Sequence, residues 1–285
     1  MQITWLVQDV YIKLYEIYNT FDALTEMNAT LMSFGIMQKS KEITNLENIL
    51  IPDTKFVLRS TTKVATLVRE ATHISELNDF LSEEQLDNSD YYLNRLRDGM
   101  FYDIEKFDQY YYNNLDVELP LLNGDAIYVK IKHNLNTTFN HDYFIKPSQD
   151  RKAFNGGILK AGTTIEEFVK NGRYQTFYLD EHALIAQLKN ISYEYRMFVV
   201  DNVVVAGSQY VKDGVVVTDA HVPQEIYTFT EECHKLYQPD NVYCIDIAAT
   251  DDGLKIVEYN GWNFSGAYQC DLVKTYTAIE KYLNK

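Results

Sequence analysis

The stretch Asn241 to Gly266, NVYCIDIAATDDGLKIVEYNGWNFSG, limits what this chain can fold into more than any other, because it sets acids inside apolar strands. It divides into two strands, Val242 to Ala249 and Leu254 to Asn260, joined by Thr250-Asp251-Asp252-Gly253. Asp246 is enclosed by YCIDIAA, and Glu258 and Asn260 stand in KIVEYN. A carboxylate removed from water costs free energy unless a cation or hydrogen-bond donors satisfy it. Either the fold brings such partners to these acids, or the strand pair carries them at a solvated rim.

Turn geometry decides which faces the acids share. A three-residue loop, Asp251-Asp252-Gly253, is a type I turn closed by Gly253 in the left-handed conformation. It pairs Thr250 with Leu254, Ala248 with Ile256 and Asp246 with Glu258. Cross-strand partners point to one face, and Asn260 returns to it two residues later. A two-residue Asp252-Gly253 turn instead sends Glu258 to the opposite face. Local turn chemistry does not separate the two. The first is taken here because it assembles three oxygen donors, the ligand type that hard cations such as magnesium require.

A chain of 285 residues with 46% hydrophobic and 24% charged residues is globular and can bury a large core. No apolar run reaches the ~20 residues that span a bilayer. The N-terminus, MQITWLVQDVYIKLYE, lacks a basic region and reads as a core strand, not a secretory signal. Cys233, Cys244 and Cys270 are odd in number and widely spaced. They suit a reducing, cytoplasmic setting and show no zinc spacing. The net charge of −15 argues against broad nucleic-acid binding. The 23 tyrosines, including Tyr91-Tyr92 and Tyr110 to Tyr112, read as amphipathic packing rather than a base-stacking surface.

Taken in order, Ile3 to Val7 is a strand, Leu14 to Phe34 a helix, Lys55 to Arg59 a strand and Thr62 to Ala71 a helix. This alternation predicts a partly parallel sheet in an N-terminal α/β region, residues 1–121. Asp79 to Leu115 is acidic, tyrosine-rich and without period. Leu122 to Lys132 reads as a helix. Tyr143 to Lys146 is a strand ended by Pro147. The following loop carries Lys152 and Asn155-Gly156-Gly157, either a glycine hairpin with solvated lysines or a cover for an anion. It is not a Walker loop. Thr163 with Glu166 forms a capping box opening a helix to Lys170. Residues 183 to 218 read as an antiparallel meander: ALIAQL, YEYRMFVV, a turn at Asp201-Asn202, then a turn at Asp213-Gly214. Arg196 shares a face with Glu194 and Phe198, which allows a structural Arg–Glu pair or a guanidinium aimed at an anion. Ala267 to Leu283 reads as a helix packed through Leu272, Tyr276, Ile279 and Leu283.

The ordered set FIKP, KAFNGG, LIAQL, EYRMFVV, YCIDIA and IVEYN resembles the ATP-grasp superfamily over residues 143 to 266. More narrowly, it looks like a clade of ATP-grasp proteins common in bacteriophages and bacteria. The resemblance implies an ATP-grasp fold of mixed α/β and α+β class behind a Rossmann-like N-terminal domain. Its subdomains are expected at residues 122–187, with the phosphate loop, and 188–285, with the metal site. By position, Lys146 matches a phosphate-contacting lysine. Lys152 and Asn155, Gly156 and Gly157 match the phosphate loop. Gln187 and Leu188 match the adenine hinge, although many relatives carry an acid where Gln187 stands. Arg196 matches the arginine at the transferred phosphate, with Glu194 counted in the nucleotide-binding set. Asp246, Glu258 and Asn260 match the magnesium ligands.

The chemistry implied is ATP- and magnesium-dependent joining of a carboxylate to an amine through an acyl phosphate. The substrates would be small molecules or peptides, and the setting the cytoplasm, that of a host if phage-encoded. Two alternatives stay open: a kinase that stops at phosphoryl transfer, and a non-catalytic nucleotide- or host-partner-binding protein. No Ser-His-Asp or Cys-His constellation competes with this reading.

Overall fold

In the computed structural model the described residues are 3–8, 15–36, 43–44, 55–59, 120–148, 154–171, 179, 182–238, 241–262 and 265–285, and they form three β-sheets. The first holds β1 (Ile3–Gln8), β2 (Thr30–Ile36), β3 (Ile43–Thr44) and β4 (Lys55–Arg59), in the order β3-β2-β1-β4. β1 pairs in parallel with β4, as the alternating pattern predicts, and also with β2, which that pattern places in a helix. The first helix is shorter than the sequence pattern predicts. α1 spans Tyr15–Glu26 only, because Asn28 turns to φ 51° and the Ala29 N–H closes on the Leu24 carbonyl. A left-handed residue ends a helix, and Thr30 onward then pairs with β1. The expected helix at Thr62 to Ala71 and the aperiodic stretch from Asp79 to Leu115 lie outside the described residues.

The second sheet, in the order β5-β8-β6-β7, contains β5 (Ile127–Lys130), β6 (Tyr143–Pro147), β7 (Gly157–Leu159) and β8 (His182–Gln187). Here the helix expected from Leu122 to Lys132 is a turn, a strand and a short 3-10 helix at Ile131–His133. Ile127, Tyr128 and Val129 are β-branched or aromatic and favour the strand. Two further corrections are smaller. β6 runs one residue longer than expected, with Pro147 opposite Ala183. β8 does not join a meander; it pairs with β5 and β6. Helix α2 (Ile165–Lys170) covers this sheet through Ile165 and Val169, which are buried with Ile145, Phe154 and Leu159. Its capping box is Thr164 with Glu167, one residue beyond the expected pair.

Five antiparallel strands make the third sheet: β9 (Ile191–Val200), β10 (Val203–Lys212), β11 (Val215–Asp219), β12 (Val242–Thr250) and β13 (Gly253–Gly261), in the order β11-β10-β9-β12-β13. Asp201 and Asn202 have φ of 51° and 67°, and Asp213 and Gly214 of 49° and 74°. Positive φ at both central residues is what a two-residue hairpin with native twist needs, so the turn residues fix these connections. Helix α3 (Gln224–Leu236) was not anticipated, although Ile226, Thr230 and Cys233 carry the helical spacing and are all buried. Helix α4 (Leu272–Leu283) starts later than Ala267, because the Asp271 carboxylate caps it at the Lys274 N–H. Leu272, Tyr276, Ile279 and Leu283 are buried as expected.

The two faces of the five-stranded sheet have different tasks. One is a continuous core: Tyr195, Met197, Val199, Tyr243, Ile245, Ile247 and Tyr259 pack under α3. The other is apolar at only one end, where Phe198, Val200, Cys244 and Trp262 join Trp5 of β1 and Tyr276 of α4. Trp5 also donates its indole N–H to Glu280 at 2.8 Å. At the far end of that same face the side chains become charged.

A charged cluster across three strands

Strand register sets the cluster. Arg196 on β9 is opposite Asp246 on β12, and Asp246 is opposite Glu258 on β13. The pairing expected for Asp246 and Glu258 is present, but it arises differently. Near the turn Thr250 pairs with Gly253, Ala248 with Lys255 and Ile247 with Ile256, one residue off the expected alignment. A β-bulge then shifts the register between Ile247 and Asp246. The shift carries the chain from Ile256, in the α3 core, to Glu258 on the opposite face. Gly253 has the expected left-handed backbone, φ 97°.

The side chains meet. Arg196 grips Asp246 in a forked pair, Nε to Oδ1 at 2.8 Å and Nη2 to Oδ2 at 2.7 Å. The amide nitrogen of Asn260 bridges the two acids, 3.2 Å from Asp246 Oδ2 and 3.3 Å from Glu258 Oε1. Lys146, at the end of β6, reaches across from the second sheet and places Nζ 3.0 Å from Glu258 Oε2. The structural Arg–Glu pair considered for Glu194 does not form. Arg196 takes Asp246, and Glu194 instead accepts a 2.5 Å hydrogen bond from Tyr210. The stacked rings of Tyr210 and Tyr268, 4.9 Å apart, stand beside the guanidinium at 5.5 and 5.4 Å.

Tyr210 is the residue that the sequence reading missed. Counting from the Asp201-Asn202 turn places Gly207 opposite Arg196, yet a register shift between Val204 and Ala206 brings Ser208 there, and a second between Gln209 and Val211 leaves Tyr210 as the extra residue between the pairs Gln209–Tyr195 and Val211–Glu194. Its hydroxyl also lies 3.4 Å from Asp246 Oδ2.

Burial and charge pull these groups apart. Burial raises the pKa of Glu194, the charges of Asp246 and Glu258 add to that, and the Tyr210 hydrogen bond opposes it. Asp246 is also raised by burial, against the pull of Arg196. For Glu258, burial acts upward, but the Lys146 and Arg196 charges hold it below the ordinary value. Burial disfavours the Arg196 cation, yet Asp246 keeps it well above its usual range. Tyr210 is pushed well up by burial and by the two neighbouring acids.

Gly156 lies against Lys146: a Cβ there would be 3.1 Å from Lys146 Cβ. Asn155 and Gly157 flank it, with Gly157 opening β7. Lys152 lies outside the described residues. Gln187 ends β8, and Leu188 follows it, exposed. Asp125 secures this strand end by accepting from the Gln187 N–H at 3.1 Å and from Lys189 at 2.7 Å. No hydrogen bond joins Gln187 or Leu188 to the charged cluster among the described residues.

Comparison with known proteins gives the same outline. A family model described as an ATP-grasp domain, family 3 of the R-two-K clade, matches residues 53–279. The structure of D-alanine–D-alanine ligase from Bacillus anthracis complexed with ATP aligns with a TM-score of 0.59 at 14% identity, over 100% of this chain and 97% of that one. The ATP-grasp ligase PsnB complexed with a minimal precursor aligns at 0.55 and 13%, over 99% of each chain. A RimK domain ATP-grasp protein from Sphaerobacter thermophilus aligns at 0.56 and 12%, over 99% of this chain and 100% of that one. At these identities the likeness is one of fold. No curated protein sequence matches the chain.

Proposed function

We propose that this chain, which belongs to family 3 of the R-two-K clade of ATP-grasp domains, is an ATP-dependent ligase that joins a carboxylate to an amine. The observation that carries the reading is the meeting of Lys146 from one sheet with Arg196, Asp246, Glu258 and Asn260 from another. Relatives in fold support it: the Bacillus anthracis ligase is described with ATP, and PsnB with a precursor, Mg and ADP.

The donor set suits magnesium. Two carboxylates and an amide converge, all offering the hard oxygens that this ion takes. Asn260 would present its amide oxygen by turning the amide over, since its nitrogen now faces the acids. Among the described residues no group of three or more His, Cys, Asp and Glu offers a rival site. Asp246, Glu258 and Asn260 would hold the ion, whose charge offsets that of the phosphate oxygens when bound.

The chain's own residues then have definable tasks. Lys146 contacts the phosphates as a mobile point charge. Lys152 and Asn155 to Gly157 would cover them, and Gly156 already packs against Lys146. The backbone at Gln187 and Leu188, steadied by Asp125, reads the adenine edge. A substrate carboxylate oxygen attacks the γ-phosphorus, the bond to the bridging oxygen breaks and ADP leaves. An amine nitrogen then attacks the acyl carbon, and phosphate departs with one former carboxylate oxygen. Positioning and charge neutralisation suffice for both steps, so no side-chain nucleophile is needed.

The test is mass spectrometry of a metabolite and peptide extract incubated with the protein, ATP and magnesium. A new amide formed with ADP release is the expected result. A stable phosphorylated product would make it a kinase, and unconsumed ATP would make it a binding protein.

A further inference from the structure

We propose that Lys146 serves as the built-in counter-ion of the metal site, so that the site accepts a divalent cation only together with a nucleoside polyphosphate. This rests on Asp246, Glu258 and Asn260 as the cation-holding groups and deepens that reading by fixing what must bind with the ion.

The two ion pairs in the cluster differ in kind. Both oxygens of Asp246 are taken by Arg196, whose planar fork is held further by the Gly266 carbonyl at 3.5 Å and walled by Tyr210 and Tyr268. The side chains of this pair keep 10% and 1% of their surface exposed. Lys146 holds Glu258 by one contact, Nζ to Oε2 at 3.0 Å, and those side chains keep 13% and 20% exposed. A lysine on a flexible stem with a single contact can exchange partners; a forked, walled arginine cannot do so cheaply.

Charge balance sets the consequence. Among the described residues Asp246 pairs with Arg196 and Glu258 with Lys146, and the Glu194 carboxyl stands beside them. A bare divalent ion would meet the Lys146 ammonium beside its intended ligand, Glu258. A bare polyphosphate would meet the Glu258 carboxylate beside its intended lysine. When both arrive, the ammonium passes from Glu258 to a phosphate oxygen and Glu258 passes to the metal, and neither charge is left facing its like. Ion and nucleotide therefore assist each other's binding by one and the same factor.

The direct test counts free Mn2+ by electron paramagnetic resonance on the full chain without nucleotide. Wild type should bind Mn2+ weakly alone and, beyond the Mn2+ that the same ADP holds in a protein-free control, far more tightly with ADP. Lys146→Met should bind Mn2+ alone about tenfold more tightly than wild type or better, since one ammonium contact at this partly buried position is removed. A second arm reads ADP in the presence of EDTA: Glu258→Gln frees the lysine and should bind ADP several-fold more tightly than wild type. The inference is overturned if wild type binds Mn2+ equally well with and without ADP. It is also overturned if Lys146→Met, with native circular dichroism, gains no affinity. Neither arm needs turnover, so an active ligase can fail this test and a chain that ligates nothing can pass it. Absence of Mn2+ binding even with ADP would remove the metal site itself.

Discussion

Replacing Arg196 should first damage the fold. Its guanidinium is buried, and its forked bonds are the partners of Asp246, which is 1% exposed. Removing one partner of a buried ion pair leaves an uncompensated charge and costs about 3–5 kcal/mol. Arg196→Met keeps the apolar stem and isolates this effect. An unfolding entropy of about 2.1 cal/mol/K per residue over 285 residues turns that cost into a fall in Tm of about 5–8 °C. Asp246→Asn removes the other charge, so the double variant should recover much of the loss, with a coupling of about 2 kcal/mol or more. The assay is thermal and urea unfolding of all four proteins by circular dichroism. Additive effects, or an Arg196→Met variant within about 1 kcal/mol of wild type, would refute the pair as a structural element and return Arg196 to a role toward ligand alone.

Three further outcomes are expected. Glu194 has its folded pKa raised above the ordinary 4.5, so its contribution to stability is full below that value and is lost as pH rises through the folded pKa. Glu194→Gln should therefore match wild type in acid and become the more stable form as pH rises, read as Tm against pH; a constant gap would contradict the assignment. Gly156→Ala sets a Cβ 3.1 Å from Lys146 Cβ and 3.5 Å from the Ile145 carbonyl, and should cut ATP turnover about tenfold or more while changing Tm little, because a small displacement of a positioned group is felt in rate. Magnesium with ATP should raise Tm more than magnesium with GTP if the Gln187–Leu188 backbone reads adenine, and equal shifts in a thermal denaturation series would exclude that hinge.

Local signals in the sequence were enough for most strands and for two of the hairpin turns. Asp201-Asn202 and Asp213-Gly214 take the left-handed backbone their residue types favour, and Ile3, Trp5 and Val7 alternate into the core as a strand should. The failures came where two periods overlap or where tertiary pairing decides. Leu31 continues a helical spacing yet belongs to β2, since Asn28 ends the helix and β1 offers a parallel partner. In Leu122 to Lys132 the strand partner, β8, lies more than fifty residues on and cannot be seen locally. The site was legible as residue types and faces. Its wiring was not: a bulge, not the turn, aligns Glu258 with Asp246, and bulges on β10 bring up Tyr210. A bulge costs one residue of register and leaves no reliable mark in composition.

The central claim is that the cluster around Asp246 and Glu258 activates a carboxylate with ATP. The most direct measurement follows heavy oxygen from a substrate carboxylate. Amino acids and short peptides labelled with heavy oxygen in their carboxylates are incubated with the protein, ATP and magnesium, and the released phosphate is weighed by mass spectrometry. An acyl phosphate requires that the phosphate carry one labelled oxygen, in wild type and not in Glu258→Gln, for which turnover should be lost. Phosphate released by wild type without label would show that water, not a carboxylate, had attacked the nucleotide, and would contradict the account.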